Sequence, residues 1–241
     1  MNNLSSRKIY RIGVDFDLTI VDSLWPWIEW FNMHIPALNA NLNPEDWIKP
    51  ITVDCYSGFK GEQLADLMND RQNILVGHHS YLDSMWYWSQ SDLYDDMLPL
   101  PGAKEFLTAL QRELMLRHEF TDVEYVCVTK CIPEHEGSKR RFLPKHFDSL
   151  FSGFVSTDDK HLVAIDCLID DNPKYVEPCN DNNIFQIYVP QGHVQDFNHV
   201  GQFAEEYFII CPEPGKNHFD YLNKNICQVA DMLMRHYNYV R

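Results

Sequence analysis

Three stretches of strand length in this chain end on oxygen-bearing side chains. Ile9-Tyr10-Arg11-Ile12-Gly13-Val14-Asp15-Phe16-Asp17 is one such stretch and ends in two carboxylates, and Asp122-Val123-Glu124-Tyr125-Val126-Cys127-Val128-Thr129 ends on a hydroxyl. Leu162-Val163-Ala164-Ile165-Asp166-Cys167-Leu168-Ile169 leads into Asp170 and Asp171. A fourth run, Ile184-Phe185-Gln186-Ile187-Tyr188-Val189, is stopped by Pro190. Short apolar runs of this kind suit strands covered on both faces, and helical patterns separate them. The clearest of these follows Pro101-Gly102, where Phe106, Leu107, Leu110 and Leu114 recur at helical spacing within residues 103–114 and would face a sheet. The pattern predicts an α/β fold, a parallel sheet flanked by helices.

In an open sheet of this type ligands sit outside the carboxyl ends of the strands. Asp15, Asp17, Asp170 and Asp171 are far apart in sequence in two pairs, yet parallel strands would deliver both pairs to that one edge. Four carboxylates at one point repel each other unless a cation joins them. A hard, oxygen-seeking ion such as Mg²⁺ is the natural occupant.

Residues 22–96 read differently. They hold all six tryptophans, at positions 25, 27, 30, 47, 86 and 88, and no convincing long strand. Amphipathic candidates there are Leu24–His34, Glu62–Arg71 and Ser80–Gln90, so the block is expected to be a mostly helical cap inserted after the first strand. The sheet domain would then comprise residues 1–21 and 97–241, re-entered at Pro99-Leu100-Pro101-Gly102. A single tail helix is predicted from about Asn217 to Tyr239, with Phe219, Leu222, Ile226, Val229, Met232 and Leu233 on one face.

Charge narrows the functions open to such a fold. Lys and Arg number 20 against 35 Asp and Glu, a formal charge of −15. A surface this acidic argues against polymeric nucleic acid and anionic membranes as partners, because both need a positive footprint. No apolar run approaches the ~18 residues that would cross a bilayer, and Met1–Tyr10 has no secretory pattern. Seven scattered cysteines do not suggest a disulfide framework, so a reduced, cytoplasmic setting is expected. Cys127 and Cys131 lack a second pair at zinc-ligand spacing and are read as structural. Locally the sign reverses: between Lys130 and His146 stand five Lys and Arg against Glu134 and Glu136. That stretch could draw an anion, although Arg140, Arg141 and Lys145 taken singly suit a solvated helix face.

The polar strand ends match a known pattern. Asp15-Phe16-Asp17-Leu18-Thr19 resembles the D-x-D-x-T nucleophile motif of the haloacid-dehalogenase-like phosphatases. Thr129 resembles their second motif, Lys160 their third-motif lysine, and Leu168-Ile169-Asp170-Asp171-Asn172-Pro173 their fourth. Leu98-Pro99-Leu100-Pro101-Gly102-Ala103, Ser138 to Phe147 and Asp159-Lys160 add a narrower similarity to the 5′(3′)-deoxyribonucleotidases of phages and bacteria. Those proteins commonly follow the second-motif residue with another hydroxyl, where this chain has Lys130 and Cys131.

The resemblance implies a Rossmann-like core and a Mg²⁺-dependent phosphomonoesterase acting on nucleoside monophosphates through an aspartyl-phosphate. It makes Asp15 the nucleophile and Asp17 the general acid and base. Thr129, Lys160 and Lys139 become phosphate ligands. Mg²⁺ falls to Asp15, the backbone carbonyl of Asp17, Asp170 and Asp171. Phe31, Trp86 and Trp88 are candidates for stacking on the base, although an aromatic cluster in a small helical insertion is more often its own core. Two other readings stand beside this one: a phosphatase of sugar phosphates or other small metabolites, and a silent nucleotide- or phosphate-binding module. The one protein partner entertained is a second copy of the chain, as a homodimer. His78-His79, His193 and His199 show no ligand-like pattern and are expected at the surface.

Overall fold

A computed structural model describes residues 8–40, 43–47, 49–50, 87–118, 120, 122–189, 208–210 and 217–241. Its centre is a six-stranded, wholly parallel sheet in the order β3-β2-β1-β4-β5-β6. The strands are β1 (Ile9–Val14), β2 (Asp122–Thr129), β3 (Phe151–Ser156), β4 (Cys167–Asp170), β5 (Phe185–Tyr188) and β6 (Phe208–Ile210). Helices α1 (Leu24–Asn39), α2 (Ala103–His118), α3 (Pro133–Phe147), α4 (Val176–Asp181), α5 (His218–Lys224) and α6 (Ile226–Val240) surround it. The strand order reverses direction between β1 and β4, which pair directly, with Val14 beside Ile169. That reversal opens a crevice at the carboxyl edge, the usual ligand position in doubly wound sheets.

Side-chain alternation divides the interior. Cys167 and Ile169 join the large core with Tyr10, Ile12, Val14 and the inward residues of α1, α2, α3, α5 and α6. Leu168, between them on β4, points the other way into a smaller cluster with Ile165, Tyr175, Cys179 and Ile184. The α2 face expected from spacing is present, with Phe106, Leu107, Leu110 and Leu114 all fully buried. The Tyr125 hydroxyl donates to the Leu107 carbonyl at 2.7 Å and ties that helix to β2.

The expected elements differ from the observed ones where burial is partial. Two strands went unanticipated, β3 and β6, and both lie at the sheet's edges. Phe151-Ser152-Gly153-Phe154-Val155-Ser156 is half-exposed and therefore shows no continuous apolar run. The run from Leu162 to Ile169 becomes strand only at Cys167. Lys160–Leu162 is a 3-10 turn, and Ile165 is apolar because it fills the smaller cluster. The predicted tail helix is two helices broken at Asn225, whose side chain donates to the Tyr221 carbonyl at 2.8 Å. Helix α1 runs on past His34 to Asn39.

Within 22–96, the candidate Glu62–Arg71, most of Ser80–Gln90, Cys55, His78-His79 and Trp86 lie outside the described residues; so, further along the chain, do His193 and His199. The chain leaves the sheet edge at Val21 and returns beside it at Pro99, with the Leu100 amide donating to the Ile20 carbonyl at 2.8 Å. Gly102 then takes φ +84, and a Cβ there would meet Phe219 Cβ at 3.1 Å. Gly102→Ala is accordingly expected to lower stability by about 1–2 kcal/mol through left-handed strain. A denaturant titration checks this, and an unchanged midpoint would refute it. The five described thiols other than Cys55 and Cys211 are free cysteines. Among the described residues no helix is long and apolar enough to cross a membrane.

Candidate active site at the carboxyl edge of the sheet

The crevice at the reversal point gathers the polar strand ends. β1 ends at Val14, and the next amide, that of Asp15, donates to the Ile169 carbonyl at 2.9 Å, which sets Asp15 beside the end of β4. Carboxylate oxygens of Asp15, Asp170 and Asp171 all lie within 4.8 Å of one another, and all three residues are buried. One cation already stands among them: Lys160 Nζ is 2.7 Å from Asp15 Oδ1 and 2.7 Å from Asp170 Oδ2. The 3-10 turn after β3 carries that lysine to the centre, where only 3% of its surface remains exposed. Burial works against its charge, but Asp15 and Asp170 outweigh burial and hold its pKa well above the ordinary value.

The Asp170–Asp171 pair is less well served. Asp170 accepts from the Asn172 amide at 2.8 Å. Burial and the neighbouring Asp15 push its carboxyl up to about 7 despite Lys160. Asp171 Oδ1 takes the Thr19 hydroxyl at 3.2 Å, and that hydroxyl accepts from the Asp171 amide at 3.1 Å. Asp171 Oδ2 is buried without a hydrogen-bond partner. Burial first, then Asp170 and Asp15, raise the Asp171 pKa well above the carboxylate range. An orphaned carboxylate oxygen inside a trio of hard oxygen donors fits a divalent cation such as Mg²⁺. Thr19, present in the motif at 15–19 but given no task there, is the brace of Asp171.

Asp17 stands apart from this trio. Its Oδ1 accepts from the Tyr94 hydroxyl at 2.7 Å and its Oδ2 from Lys139 Nζ at 2.5 Å. Burial tends to raise its pKa, but Lys139, Tyr94 and Ser23 together hold it below the usual value. The side chain keeps about 30% of its surface open, so it can meet a ligand. Lys139 is fully buried on α3 and reaches Thr129 Oγ1 at 3.2 Å, placing Asp17, Lys139 and Thr129 in one cluster. Thr129 ends β2 and is itself buried.

The basic stretch around Lys139 resolves by helix phase. Arg140 pairs with Glu136 one turn back, Arg141 with Asp95 at 2.8 Å, and Lys145 with the Asp95 carbonyl. Lys130 pairs with Asp158 at 3.0 Å. Of the five cations, Lys139 alone turns onto Asp17 and Thr129, while the other four are engaged nearer the surface. Phe31 is buried and stacked with Trp27 at 6.1 Å, part of the core of α1. Trp88 is half-buried against Tyr87, its carbonyl taken by His135 Nδ1 at 2.7 Å. Tyr94 was missed altogether, since nothing in Ser91-Asp92-Leu93-Tyr94 links it to Asp17 by spacing.

His218, at the start of α5, packs against the loop that carries Thr19. Burial depresses its pKa to about 4, and the Thr19 backbone only partly offsets this. A histidine kept neutral by the fold stabilises fully above its unfolded pKa near 6.5 and loses that contribution as pH falls through the folded value. Stability is expected to drop by about 3 kcal/mol from this group between roughly pH 6.5 and 4, and His218→Gln should flatten the loss. Denaturant midpoints of the two proteins across that range provide the check, and parallel curves would exclude the effect.

Comparison with known proteins bears on what the cluster does. Residues 60–213 match the family model described as "5' nucleotidase, deoxy (Pyrimidine), cytosolic type C protein". The matched span contains Thr129, Lys139, Lys160, Asp170 and Asp171; Asp15 and Asp17 come from the preceding β1 segment. The fold is similar to a haloacid-dehalogenase-like family hydrolase from Xanthomonas campestris, at 16% identity, 93% of this chain, 99% of that chain and TM-score 0.54. It is likewise similar to a haloacid-dehalogenase-like hydrolase from Streptococcus pneumoniae, at 13% identity, 90% and 98% coverage and TM-score 0.53. At these identities the likeness is one of fold. No curated protein sequence matches the chain.

Proposed function

This chain belongs to the family of the deoxy (pyrimidine) 5′-nucleotidases and is a phosphatase of the haloacid-dehalogenase type, and from that premise we propose that it hydrolyses nucleoside monophosphates, pyrimidine deoxyribonucleotides foremost. The observation that carries the reading is the division of labour between Asp15 and Asp17. Two residues apart, one carboxylate lies in the acidic trio with Lys160 and the other on Lys139 and Tyr94. A nucleophile and an acid–base group need such different surroundings.

Asp15 attacks the phosphorus in line, forming an aspartyl-phosphate while the bond to the nucleoside oxygen breaks. Asp17, which takes up a proton once the substrate phosphate draws Lys139 from it, gives that proton to the leaving oxygen and later takes one from the water that hydrolyses the intermediate. Thr129, Lys139 and Lys160 hold the equatorial phosphoryl oxygens and meet the charge that builds there. Asp15, Asp170, Asp171 and the Asp17 carbonyl would hold Mg²⁺. When bound, the ion neutralises charge on the nucleophile and phosphoryl group together. Selectivity for base and sugar rests with residues 22–96, including Trp86 and Trp88. Phe31, buried against Trp27, is the weakest of the three stacking candidates.

Phosphate release from a panel of phosphomonoesters with Mg²⁺ tests the proposal. Thymidine and deoxyuridine monophosphates should be turned over faster than purine ribonucleotides and hexose phosphates. Equal rates on nucleotides and hexose phosphates would leave a general small-metabolite phosphatase. No release from any ester would leave a binding module.

A further inference from the structure

Among the described residues, Tyr94 and Ser23 are the neutral groups on the Asp17 carboxylate, and the geometry of Tyr94 is closely constrained. It is fully buried. Its ring meets Phe16 edge-on at 5.0 Å and His135 edge-on at 5.3 Å, and His135 is itself tied to the Trp88 carbonyl at 2.7 Å. A ring held from two sides presents its hydroxyl at one point, and that point is 2.7 Å from Asp17 Oδ1. Asp17 is its one hydrogen-bond partner among the described residues.

Lys139, on the other carboxylate oxygen, is differently placed. It also reaches Thr129 Oγ1 at 3.2 Å and the Lys130 carbonyl at 3.4 Å, so it stands between the acid–base group and the phosphate side of the site. An arriving phosphoryl dianion competes with Asp17 for that ammonium, because charge-assisted bonds to phosphate are strong. Once Lys139 serves the phosphoryl group, Oδ2 of Asp17 is released toward the leaving oxygen. The carboxylate then keeps its orientation only if Oδ1 stays anchored.

Resting on the acid–base role of Asp17 given above, we propose that Tyr94 is a positioning residue that holds Oδ1 so that Oδ2 faces the leaving oxygen during the first step. In that step the bond from Asp15 to phosphorus forms and the bond from phosphorus to the nucleoside oxygen breaks. Freed of Lys139, Oδ2 takes up a proton from solvent as the substrate settles, and that proton passes to the leaving oxygen, while the Tyr94 hydroxyl keeps its own proton throughout. The group acts through Asp17 and touches no substrate atom.

Leaving-group chemistry isolates this role. A nucleoside leaves as a poor alkoxide and needs the proton, whereas p-nitrophenolate leaves without one. Tyr94→Phe removes a single oxygen from a buried ring and preserves its shape. It is expected to lower kcat on deoxynucleoside monophosphates about 10- to 100-fold, part of what a positioned acid contributes, with KM little changed. The pre-steady-state burst of p-nitrophenolate from p-nitrophenyl phosphate, which reports the first step alone, should stay within about threefold and report a folded site. In an Asp17→Asn background the same change should add no further loss on nucleotides, since the two groups act as one unit. Equal losses on both substrates, or nucleotide turnover undiminished in Tyr94→Phe, would overturn the assignment. If the wild type preferred hexose phosphates and Tyr94→Phe still spared only p-nitrophenyl phosphate, the nucleotide reading would fall and the Tyr94 assignment would stand.

Discussion

Asp15→Asn is expected to lower phosphate release by at least about 10⁴-fold, the scale seen when a covalent nucleophile is removed. Asparagine matches aspartate in shape, so the bond from its backbone amide to the Ile169 carbonyl and the packing of β1 against β4 are preserved. What disappears is the carboxylate that, on the proposed route, bonds to phosphorus. Circular dichroism should therefore be unchanged, while a phosphorylated form, detectable by mass spectrometry in rapidly quenched wild type, should be absent from the variant. If wild type and variant released phosphate at equal rates, Asp15 would be a cation ligand at most and the covalent route would be wrong.

The second large effect concerns Asp171. Without a cation, the raised pKa values of Asp170 and Asp171 mean that the folded protein holds protons which the unfolded chain gives up near pH 4. Such groups contribute most to stability below their unfolded pKa, and the contribution declines as pH rises through the folded values. In chelator, the melting temperature should fall from mildly acid to alkaline pH, and Mg²⁺ should restore it. At 100 times its dissociation constant a ligand stabilises by about 2.7 kcal/mol.

Asp171→Asn removes one of the repelling carboxylates and the orphaned Oδ2 with it. The variant should melt higher than wild type in chelator at alkaline pH, lose the Mg²⁺-induced rise, and lose about 10²-fold or more in turnover. Thermal melts with and without Mg²⁺ on either side of neutrality read this without relying on activity. A wild type indifferent to Mg²⁺ would remove the cation from the site.

How much of this could be read from residues alone followed burial. The start of β1 and the whole of β2 could be placed because the carboxyl halves of these central strands are covered on both faces and stay apolar, whereas β1 ends at Val14 and not, as its sequence suggested, at Asp17. β3 could not be placed, since an edge strand covered on one side alternates weakly. The start of β4 was misplaced because Ile165 is apolar for the sake of a side cluster rather than a strand. The tail's break at Asn225 left no mark on the hydrophobic spacing, since α5 and α6 bury consecutive stretches of one apolar pattern.

The site divides along the same line. The meeting of Asp15 with Asp170 and Asp171 follows from sequence, because parallel strands put their carboxyl ends on one edge whatever the length of chain between them. The resemblance singled out Lys139 as a phosphate ligand, but its place on Asp17 did not follow from sequence. Five cations in one stretch look alike until helix phase sends Arg140 to Glu136 and Arg141 to Asp95, and turns Lys139 inward. Local order along the chain thus determined the sheet, its polar edge and the acidic cluster, since these depend on alternation and strand direction. The surroundings of Asp17 were decided by tertiary structure alone. Tyr94 lies 77 positions away, and only the packing of Phe16 and His135 around its ring brings its hydroxyl to that carboxylate.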